Sequence, residues 1–294
     1  MIEIAQRMVD ALTAGSFFAL FALGITVVFG IMNLVNFAHG ELLMAGAYAA
    51  FVVRDQPWPV IVGVALVTSL ALALVMERVA FRPVRGASPA TLLITSFAVS
   101  FGLQALARLI FTSLPRSADI APIFRRSFKV ADVNVTWLSA TTLLTTLLLL
   151  VVLAFFFSRT RLGIQMRAAA EDWRMATLCG VPVNRIIAAA FAISGVLAGV
   201  AAILLVGQTG SLSVGMGLNP VLFGFTAAVI GGLGSLPGAV LGGYLLGAAS
   251  ALLQGLLPFE LGAFRDALLF GAVFGLMALR PGGLLRAVGL ERRV

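Results

Sequence analysis

The longest stretch without a charged side chain, Ile186–Phe259, constrains the fold of this chain more than any other feature. One membrane span needs about 20 apolar residues, because the bilayer hydrocarbon is about 30 Å thick and a helix rises about 1.5 Å per residue. The stretch is therefore long enough for three spans. Only 11% of all residues are charged, against about 25% in soluble proteins. The sequence therefore predicts a polytopic membrane protein and excludes soluble enzymes and disordered chains.

The remaining apolar segments complete a predicted set of nine spans, within a range of eight to ten. Charged residues, glycine and proline separate these segments from one another. The predicted spans are Ala11–Ala38, Asn36–Val53, Gln56–Met76, Gly86–Ala107, Val133–Ser158, three within Ile186–Phe259, and Leu261–Leu279. We therefore expect an all-α helix bundle that forms a single transmembrane domain over residues 1–294.

Arginine clusters predict the orientation of this bundle. Three clusters fall on the same side by the parity of the spans: Arg78, Arg82 and Arg85; Arg159, Arg161, Arg167, Arg174 and Arg185; and Arg280, Arg286, Arg292 and Arg293. Basic loops mark the cytoplasmic side, so we expect a cytoplasmic C-terminus. The basic loop Arg108–Thr136 disagrees, and parity places it outside. The net charge of +8 thus indicates cytoplasmic loops and not a nucleic-acid partner.

Glycine is unusually common inside the apolar segments, with 31 in the chain. Small residues let helices approach closely in lipid, which predicts a tightly packed bundle. The G-x-x-x-G pairs that begin at Gly195, Gly234 and Gly243 are weak evidence for particular contacts. A faint internal repeat, in which Asn33, Phe37 and Gly46 are spaced as Asn219, Phe223 and Gly232 are, is the kind of signal that repeated, interrupted transporter helices leave.

Four polar residues interrupt the apolar N-terminal third: Asn33, Asn36, His39 and Glu41. One hypothesis is a broken helix whose second half begins near Gly40 and directs its positive dipole end at a substrate carboxylate, with the polar side chains along the transport path. The other is a short interfacial turn in which Asn36 caps a helix and Glu41 lies in its first turn. The sequence leaves both open.

The segment 159–185 is a predicted cytoplasmic loop with a helical middle that Gly180 and Pro182 end. An amphipathic helix between spans suits either docking of a soluble partner or binding to the membrane surface. Residues 231–235 are rich in glycine but have no lysine in Walker spacing, so any ATPase must be a separate subunit. His39 and Cys179, the single histidine and the single cysteine, are too few for a zinc site.

Five segments of the chain resemble the LivH-type permeases of branched-chain amino acid ABC importers. They occur in the order and spacing of that family: NFAHGE at Asn36–Glu41, ERVAFRPVR at Glu77–Arg85, RAAAEDWRMATLCGV at Arg167–Val181, FTAAVIGGLGSLPGAVLGG at Phe225–Gly243 and LRPGGLL at Leu279–Leu285. The resemblance covers nearly the whole chain. The loop between Thr112 and Thr136 matches no motif of the family.

The resemblance implies an inner-membrane permease subunit that imports leucine, isoleucine and valine by alternating access. It further implies a second permease of the LivM type, two cytoplasmic ATPases that use the ATP, and a periplasmic binding protein, with no cofactor in this chain. The family's coupling loop corresponds to Arg167–Val181, which makes Glu171, Asp172, Ala176 and Gly180 the candidate contacts with the ATPase. Similar permeases import urea, short amides or other amino acids, so these substrates stay open.

Two other classes of protein fit the sequence less well. A secondary transporter needs membrane carboxylates for a coupling ion, and only Glu41 lies deep enough to serve. An intramembrane enzyme needs a set of acids, bases or metal ligands within the spans, which one histidine and isolated acids do not supply.

Overall fold

The fold is described from a computed structural model, which defines residues 2–279 apart from 113, 119, 121–123, 125, 131 and 132. The third arginine cluster and most of the Leu279–Leu285 motif lie outside these residues. The described helices, in chain order, are α1 (Ile2–Met32), α2 (His39–Val52), α3 (Trp58–Met76), α4 (Pro89–Phe111), α5 (Trp137–Arg159), α6 (Arg161–Glu171), α7 (Trp173–Leu178), α8 (Val183–Thr209), α9 (Leu218–Gly231), α10 (Leu236–Leu256) and α11 (Arg265–Leu279).

Four short strands accompany the helices. They are β1 (Arg116–Ser117), β2 (Ser127–Val130), β3 (Val133–Thr136) and β4 (Ser211–Leu212). β1 pairs antiparallel with β4, and β2 pairs antiparallel with β3. The loop between α4 and α5, which resembles no family motif, is therefore anchored to the end of α8 by the β1–β4 pair.

Six described helices are long and apolar enough to cross a membrane: α1, α3, α4, α5, α8 and α10. The prediction of nine full-length spans is not supported. The predicted spans that fail this test appear as the shorter helices α2, α9 and α11, of 14, 14 and 15 residues. A helix of 14 residues is about 21 Å long, which is less than the hydrocarbon thickness of about 30 Å. The architecture remains that of a polytopic helical membrane protein.

The helices form an inner and an outer group. The most apolar windows of α1 and α8 are 78% and 67% buried, whereas those of α4 and α5 are 22% and 17% buried. α4 buries only Leu92, Ser96, Ser100 and Ala107. Since lipid and partner subunits contact the exposed apolar surface of such helices, α1 and α8 form the core, and α4 and α5 lie at its edge.

Glycines allow the close helix contacts that their number predicts. A Cβ atom on Gly195 of α8 would lie 2.7 Å from the Ala73 Cβ of α3. Gly243 and Gly247 of α10 lie against Ala19 and Gly15 of α1. Two of the three G-x-x-x-G pairs are therefore genuine helix contacts. The third is not, because Gly234 lies in a turn with φ of +87°.

The bundle has an arginine face, which we define by Arg78, Arg82 and Arg85 after α3 and by Arg159, Arg161, Arg167 and Arg185 around α6 and α8. α3 continues into it as a π-helix over Glu77–Phe81 and a 3₁₀ turn over Arg82–Val84. Arg85 pairs with the buried Glu77 and donates a hydrogen bond to Asn184 at the start of α8. These contacts join the first two arginine clusters on one side of the molecule.

The opposite face is formed by the start of α1, the loop with β1–β3 and the end of α8. Gln6 of α1 exchanges two hydrogen bonds with the backbone of Asn134 in β3, at 3.0 and 3.1 Å. The described residues of the loop between α4 and α5 therefore lie away from the arginine face. That this side is outside stays a prediction.

Candidate functional site

The chain leaves the α-helical conformation between α1 and α2, at residues 33–38. Asn33 has a φ of +50°, and its N–H donates to the Phe29 carbonyl at 2.8 Å. Asparagine tolerates this left-handed conformation better than most residues, and it ends α1 as a C-terminal cap. The Asn33 side chain is exposed, so the structure separates Asn33 from the other three predicted site residues.

Asn36 forms the turn from which α2 begins. Its Oδ1 accepts a hydrogen bond from the Ala38 N–H at 3.1 Å, and its own carbonyl accepts the His39 N–H at 3.1 Å. Such side-chain turns of asparagine start helices. Glu41 lies in the first turn of α2, as the second hypothesis predicts. Asn36 is not the cap, because the N-cap residue is Ala38 and no side chain caps this helix. The turn is not at an interface, however, because Asn36 is only 2% exposed.

The N-termini of two short helices, α2 and α9, meet at the centre of the bundle. A Cβ atom on Gly40 would lie 2.5 Å from the carbonyl oxygen of Gly217, the residue before α9. Each helix follows a non-helical segment, residues 33–38 before α2 and residues 213–217 immediately before α9. The helical break before Gly40 is therefore present, and a second non-helical segment precedes α9. That the start of α2 faces a substrate carboxylate stays a prediction.

The faint repeat in the sequence does not align the two short helices. Asn33 precedes α2, whereas its proposed counterpart Asn219 lies inside α9, and Gly46 lies inside α2 whereas Gly232 follows α9. The two short helices correspond at Gly40 and Gly217, where both begin. The sequence spacing was misleading because glycine and apolar residues recur throughout this chain.

Glu41 connects α2 to the middle of α4. Its Oε1 accepts hydrogen bonds from the Ser100 hydroxyl and the Gln104 amide, both at 2.8 Å. Gln104 in turn accepts a hydrogen bond from Arg108 at 3.3 Å. Glu41 is 2% exposed, and its second oxygen, Oε2, has no hydrogen-bond partner within the part of the chain that is described. Buried carboxylates in membrane proteins mark functional positions more often than structural ones.

His39 connects α2 to the middle of α8. Its Nδ1 lies 3.0 Å from the Ser194 hydroxyl. The ring packs against Gly24 of α1, where a Cβ atom would lie 2.6 Å from the ring. His39 is 1% exposed, so the start of α2 is fixed against α1 and α8 on one side and α4 on the other.

We name this group the central polar cluster: Asn36, His39, Glu41, Ser100, Gln104 and Ser194. The sequence predicted Asn36, His39 and Glu41. It did not predict the Ser100 hydroxyl and the Gln104 amide, which bind Glu41, or the Ser194 hydroxyl, which contacts His39. A signal for two of these exists, because Ser100 and Gln104 are four residues apart on one face of a predicted span. Within the described residues, no group of three His, Cys, Asp or Glu could hold a metal ion. The cluster offers hydrogen bonds and one carboxylate, which suits binding or gating.

The predicted coupling segment consists of two helices where one was expected. The break is at Asp172, whose Oδ1 accepts the Met175 N–H at 3.0 Å and so starts α7. Gly180, with φ of +80°, then turns the chain into α8. Glu171, Asp172 and Gly180 are exposed, whereas Ala176 is 5% exposed and packs inward.

Two apolar side chains on α7 project from the arginine face. Met175 is 57% exposed and Leu178 is 81% exposed. The sequence does not reveal either residue as exposed, because a pattern of six residues is too short to define which face of a helix is buried. We name Glu171, Asp172, Met175, Leu178 and Gly180 the α7 surface.

Comparison with known proteins covers nearly the whole chain. Residues 7–280 match the family described as branched-chain amino acid transport system / permease component. The chain is 36% identical to the high-affinity branched-chain amino acid transport system permease protein BraD of Pseudomonas aeruginosa, over 98% of this chain and 97% of BraD. It is 34% identical to the corresponding permease protein LivH of Escherichia coli K12, over the same shares of both chains.

A more distant relative is archaeal. The probable branched-chain amino acid transport permease protein LivH of Methanocaldococcus jannaschii is 26% identical, over 98% of this chain and 93% of that protein. No solved structure matches the chain. The family match and the full-length identities agree with the resemblance that the sequence motifs carry. This chain belongs to the permease-component family of branched-chain amino acid transport systems, and its role is transport and not catalysis.

Proposed function

We propose that the chain is the membrane-spanning permease subunit of an ABC importer and that its substrates are leucine, isoleucine and valine. The observation that carries this proposal is the 34–36% identity to BraD and LivH over 98% of the chain. Both relatives are named as permeases for branched-chain amino acids. Permeases for urea, short amides or other amino acids remain the alternative.

The two short helices suit alternating access. Each begins at the centre of the bundle, at Gly40 and Gly217, and α2 returns toward the opposite face while α9 runs toward the arginine face. Interrupted helices of this kind commonly surround the substrate path of transporters. We propose that small shifts of α2 against α4 and α8 open the central polar cluster to one side or the other. A secondary transporter finds less support, since Glu41 is the only carboxylate in the cluster.

The topology we propose has nine passes. In this topology, α2 and α9 each form one pass together with the non-helical segment that precedes the helix. The last pass is α11. The arginine face is then cytoplasmic, as basic loops favour, and the C-terminus lies on the same side. The whole chain forms one transmembrane domain in the inner membrane of a bacterium.

The proposed partners follow from the family. They are a second permease of the LivM type, a periplasmic binding protein and two ATPases that hydrolyse the ATP. We place the ATPase contact at the α7 surface, because an exposed apolar pair beside two acids on the arginine face is suited to docking. Ala176 then supports this surface from inside.

Replacement of Leu178 by aspartate tests the docking site. Burial of a leucine side chain in an interface contributes about 1.5–3 kcal/mol, and a charge in its place opposes docking. We expect ATP-driven uptake by the assembled importer to fall at least about tenfold, while the chain still inserts into the membrane. The measurement is leucine uptake together with co-purification of the ATPases.

The matched control is Leu114→Asp. Leu114 is 75% exposed but lies in the loop on the opposite face, so this change should leave ATPase binding intact. Equal loss of ATPase co-purification in both variants would contradict the proposed docking site.

The transport function is tested in vesicles that contain the complete importer. Leucine, isoleucine and valine should be taken up only with ATP and the binding protein, and excess urea should not compete. Uptake by this chain alone without ATP would overturn the importer and favour a secondary transporter. Competition by urea would instead move the substrate to the alternative class.

A further inference from the structure

A second polar region of the bundle lies at the opposite face, away from the central polar cluster. A cavity of about 460 Å³ lies between the ends of α1, α5, α8, α9, α10 and α11 at that face. Ligand sites for small molecules usually have volumes of about 300–1,000 Å³. The residues that line the cavity are of three kinds: charged, neutral polar and aromatic.

The first is a pair of opposite charges. Asp10 of α1 and Arg265 of α11 both line the cavity. Asp10 accepts a single amide hydrogen bond, from Gln6 at 3.3 Å. Arg265 forms an ion pair with the neighbouring Asp266, whose Oδ1 accepts hydrogen bonds from Nη2 at 3.1 Å and Nε at 3.2 Å, and both side chains are partly exposed. The second terminal nitrogen, Nη1, is not part of this pair. A carboxylate and a guanidinium at this exposed end retain hydrogen-bonding capacity for a ligand.

The second is a set of neutral polar side chains. The amides of Gln208, Asn219 and Gln254 and the hydroxyls of Thr13 and Ser250 line the same cavity. They come from four helices. A cavity that offers donors and acceptors from four sides orients a small polar group without a further charge.

The third is an aromatic wall. Phe17 and Phe21 of α1 are 3% and 4% exposed and line the inner end of the cavity. On the adjacent side, Phe18 stacks on Phe223 of α9, with ring centroids 4.8 Å apart. This inner end offers apolar contact for an aliphatic side chain.

The aromatic wall also separates the cavity from the central polar cluster. Gly24, against which His39 packs, lies three residues after Phe21 on α1, which is less than one turn of the helix. Phe17 and Phe21 lie along α1 between Asp10 and the position that His39 contacts. The cavity therefore lies directly before the centre of the bundle.

We propose that this cavity is an acceptor site for a zwitterionic amino acid with an apolar side chain. Asp10 binds the ammonium group, Arg265 binds the carboxylate, and Phe17, about two turns of α1 beyond Asp10, contacts the aliphatic side chain. This inference rests on the proposed import of branched-chain amino acids and adds the place where this chain first holds the substrate. Urea carries neither charge nor an aliphatic part, so the same chemistry discriminates against it.

Protection of an introduced thiol tests the site directly. Cys179, the only native cysteine, is first replaced by serine, and Ser250→Cys then places a thiol on the cavity wall. In the assembled, detergent-solubilised importer, leucine at about ten times its Kd should slow alkylation at position 250 about tenfold, because only the free site reacts. Urea at the same concentration should not slow it. Gln56→Cys, in the exposed loop between α2 and α3, is the control and should react at one rate throughout.

A second variant tests the role of the charges. Asp10→Asn and Arg265→Gln are combined in the Ser250→Cys background, and the leucine concentration required for protection should rise at least about tenfold. Co-purification of the partner subunits shows that the variant is assembled.

Leucine uptake is measured after the same variants are reconstituted into vesicles, so the two proposals fail separately. Unprotected alkylation at position 250 in an importer that still takes up leucine overturns the acceptor site and leaves the proposed function intact. Absence of leucine uptake by the importer with the natural chain, in the presence of ATP and the binding protein, overturns the proposed function, whatever the alkylation result. Equal protection with and without the two charges overturns the assigned roles of Asp10 and Arg265.

Discussion

Replacement of Gly40 by alanine is expected to abolish transport. The added Cβ atom would lie 2.5 Å from the Gly217 carbonyl oxygen and 2.7 Å from its carbonyl carbon, which is far inside van der Waals contact. Both opposing atoms belong to the backbone, so a side-chain rotation cannot relieve the overlap. Overpacking typically costs about 1–3 kcal/mol, and here α2 and α9 have to separate. The measurement is leucine uptake at matched amounts of protein in the membrane.

The glycines of the chain supply a matched control. Gly63→Ala adds the same methyl group to α3 at a position with open space around it. Because alanine favours a helix over glycine by about 1 kcal/mol, that variant should be at least as stable as the natural chain. Its rate of leucine uptake should be unchanged. Gly217→Ala should reproduce the loss, since its Cβ would overlap the backbone of Gly40. Normal uptake by Gly40→Ala would contradict the close approach of the two short helices.

Replacement of Glu41 by alanine should have the second largest effect. It leaves the buried Ser100 hydroxyl without its acceptor, and an unsatisfied buried group costs about 1–3 kcal/mol. The half-buried Gln104 amide also loses Glu41 and keeps only its hydrogen bond to the Ser100 hydroxyl, at 3.3 Å. α4 buries few side chains, so loss of this connection should loosen it from α2. We expect uptake to fall at least about tenfold. The measurement is initial uptake rate, with assembly followed by co-purification of the partner subunits.

Further variants separate a structural role of Glu41 from a role toward substrate. Glu41→Gln keeps an acceptor for Ser100 and Gln104 but removes the charge, so retained activity would assign Glu41 to fastening α4. In a double-mutant cycle, Ser100→Ala should add little to Glu41→Ala, because the two changes remove the same hydrogen bond. Asp55→Ala, at a carboxylate whose side chain is 89% exposed, is the control and should be neutral.

Unchanged transport in both Asn36→Ala and Glu41→Ala, with normal assembly, would exclude the cluster from the transport path.

The number of spans shows where prediction from sequence failed. Hydropathy locates apolar residues but does not show where the helical conformation begins or ends. α2 and α9 are short because non-helical segments take up the first part of each apolar stretch. Asn33 with its positive φ was visible only as one more polar residue. The start of α2 was nevertheless predicted within one residue, because a histidine, a glycine and a glutamate follow one another there in an apolar segment.

The sequence predicted three of the six residues of the central polar cluster. Asn36, His39 and Glu41 are adjacent in sequence, so one polar interruption identified them all. Ser100, Gln104 and Ser194 lie on α4 and α8, separated from Glu41 by 59 residues or more. A serine in an apolar span is unremarkable in sequence, since its hydroxyl can bond to its own helix backbone. Only the fold shows that two of these serines bond to α2 instead.

The sequence by itself determined that this chain is a helical membrane protein with arginine-rich loops, because too few charges are present to cover a soluble surface. It also determined the family, through motifs along nearly the whole chain. The tertiary structure alone decided which polar groups meet, which residues of α7 are exposed, and that α2 and α9 begin at one point. The physical reason is that apolar composition favours burial of any helix in lipid without selecting its neighbours. The choice of neighbours depends on close glycine contacts and on hydrogen bonds between residues distant in sequence.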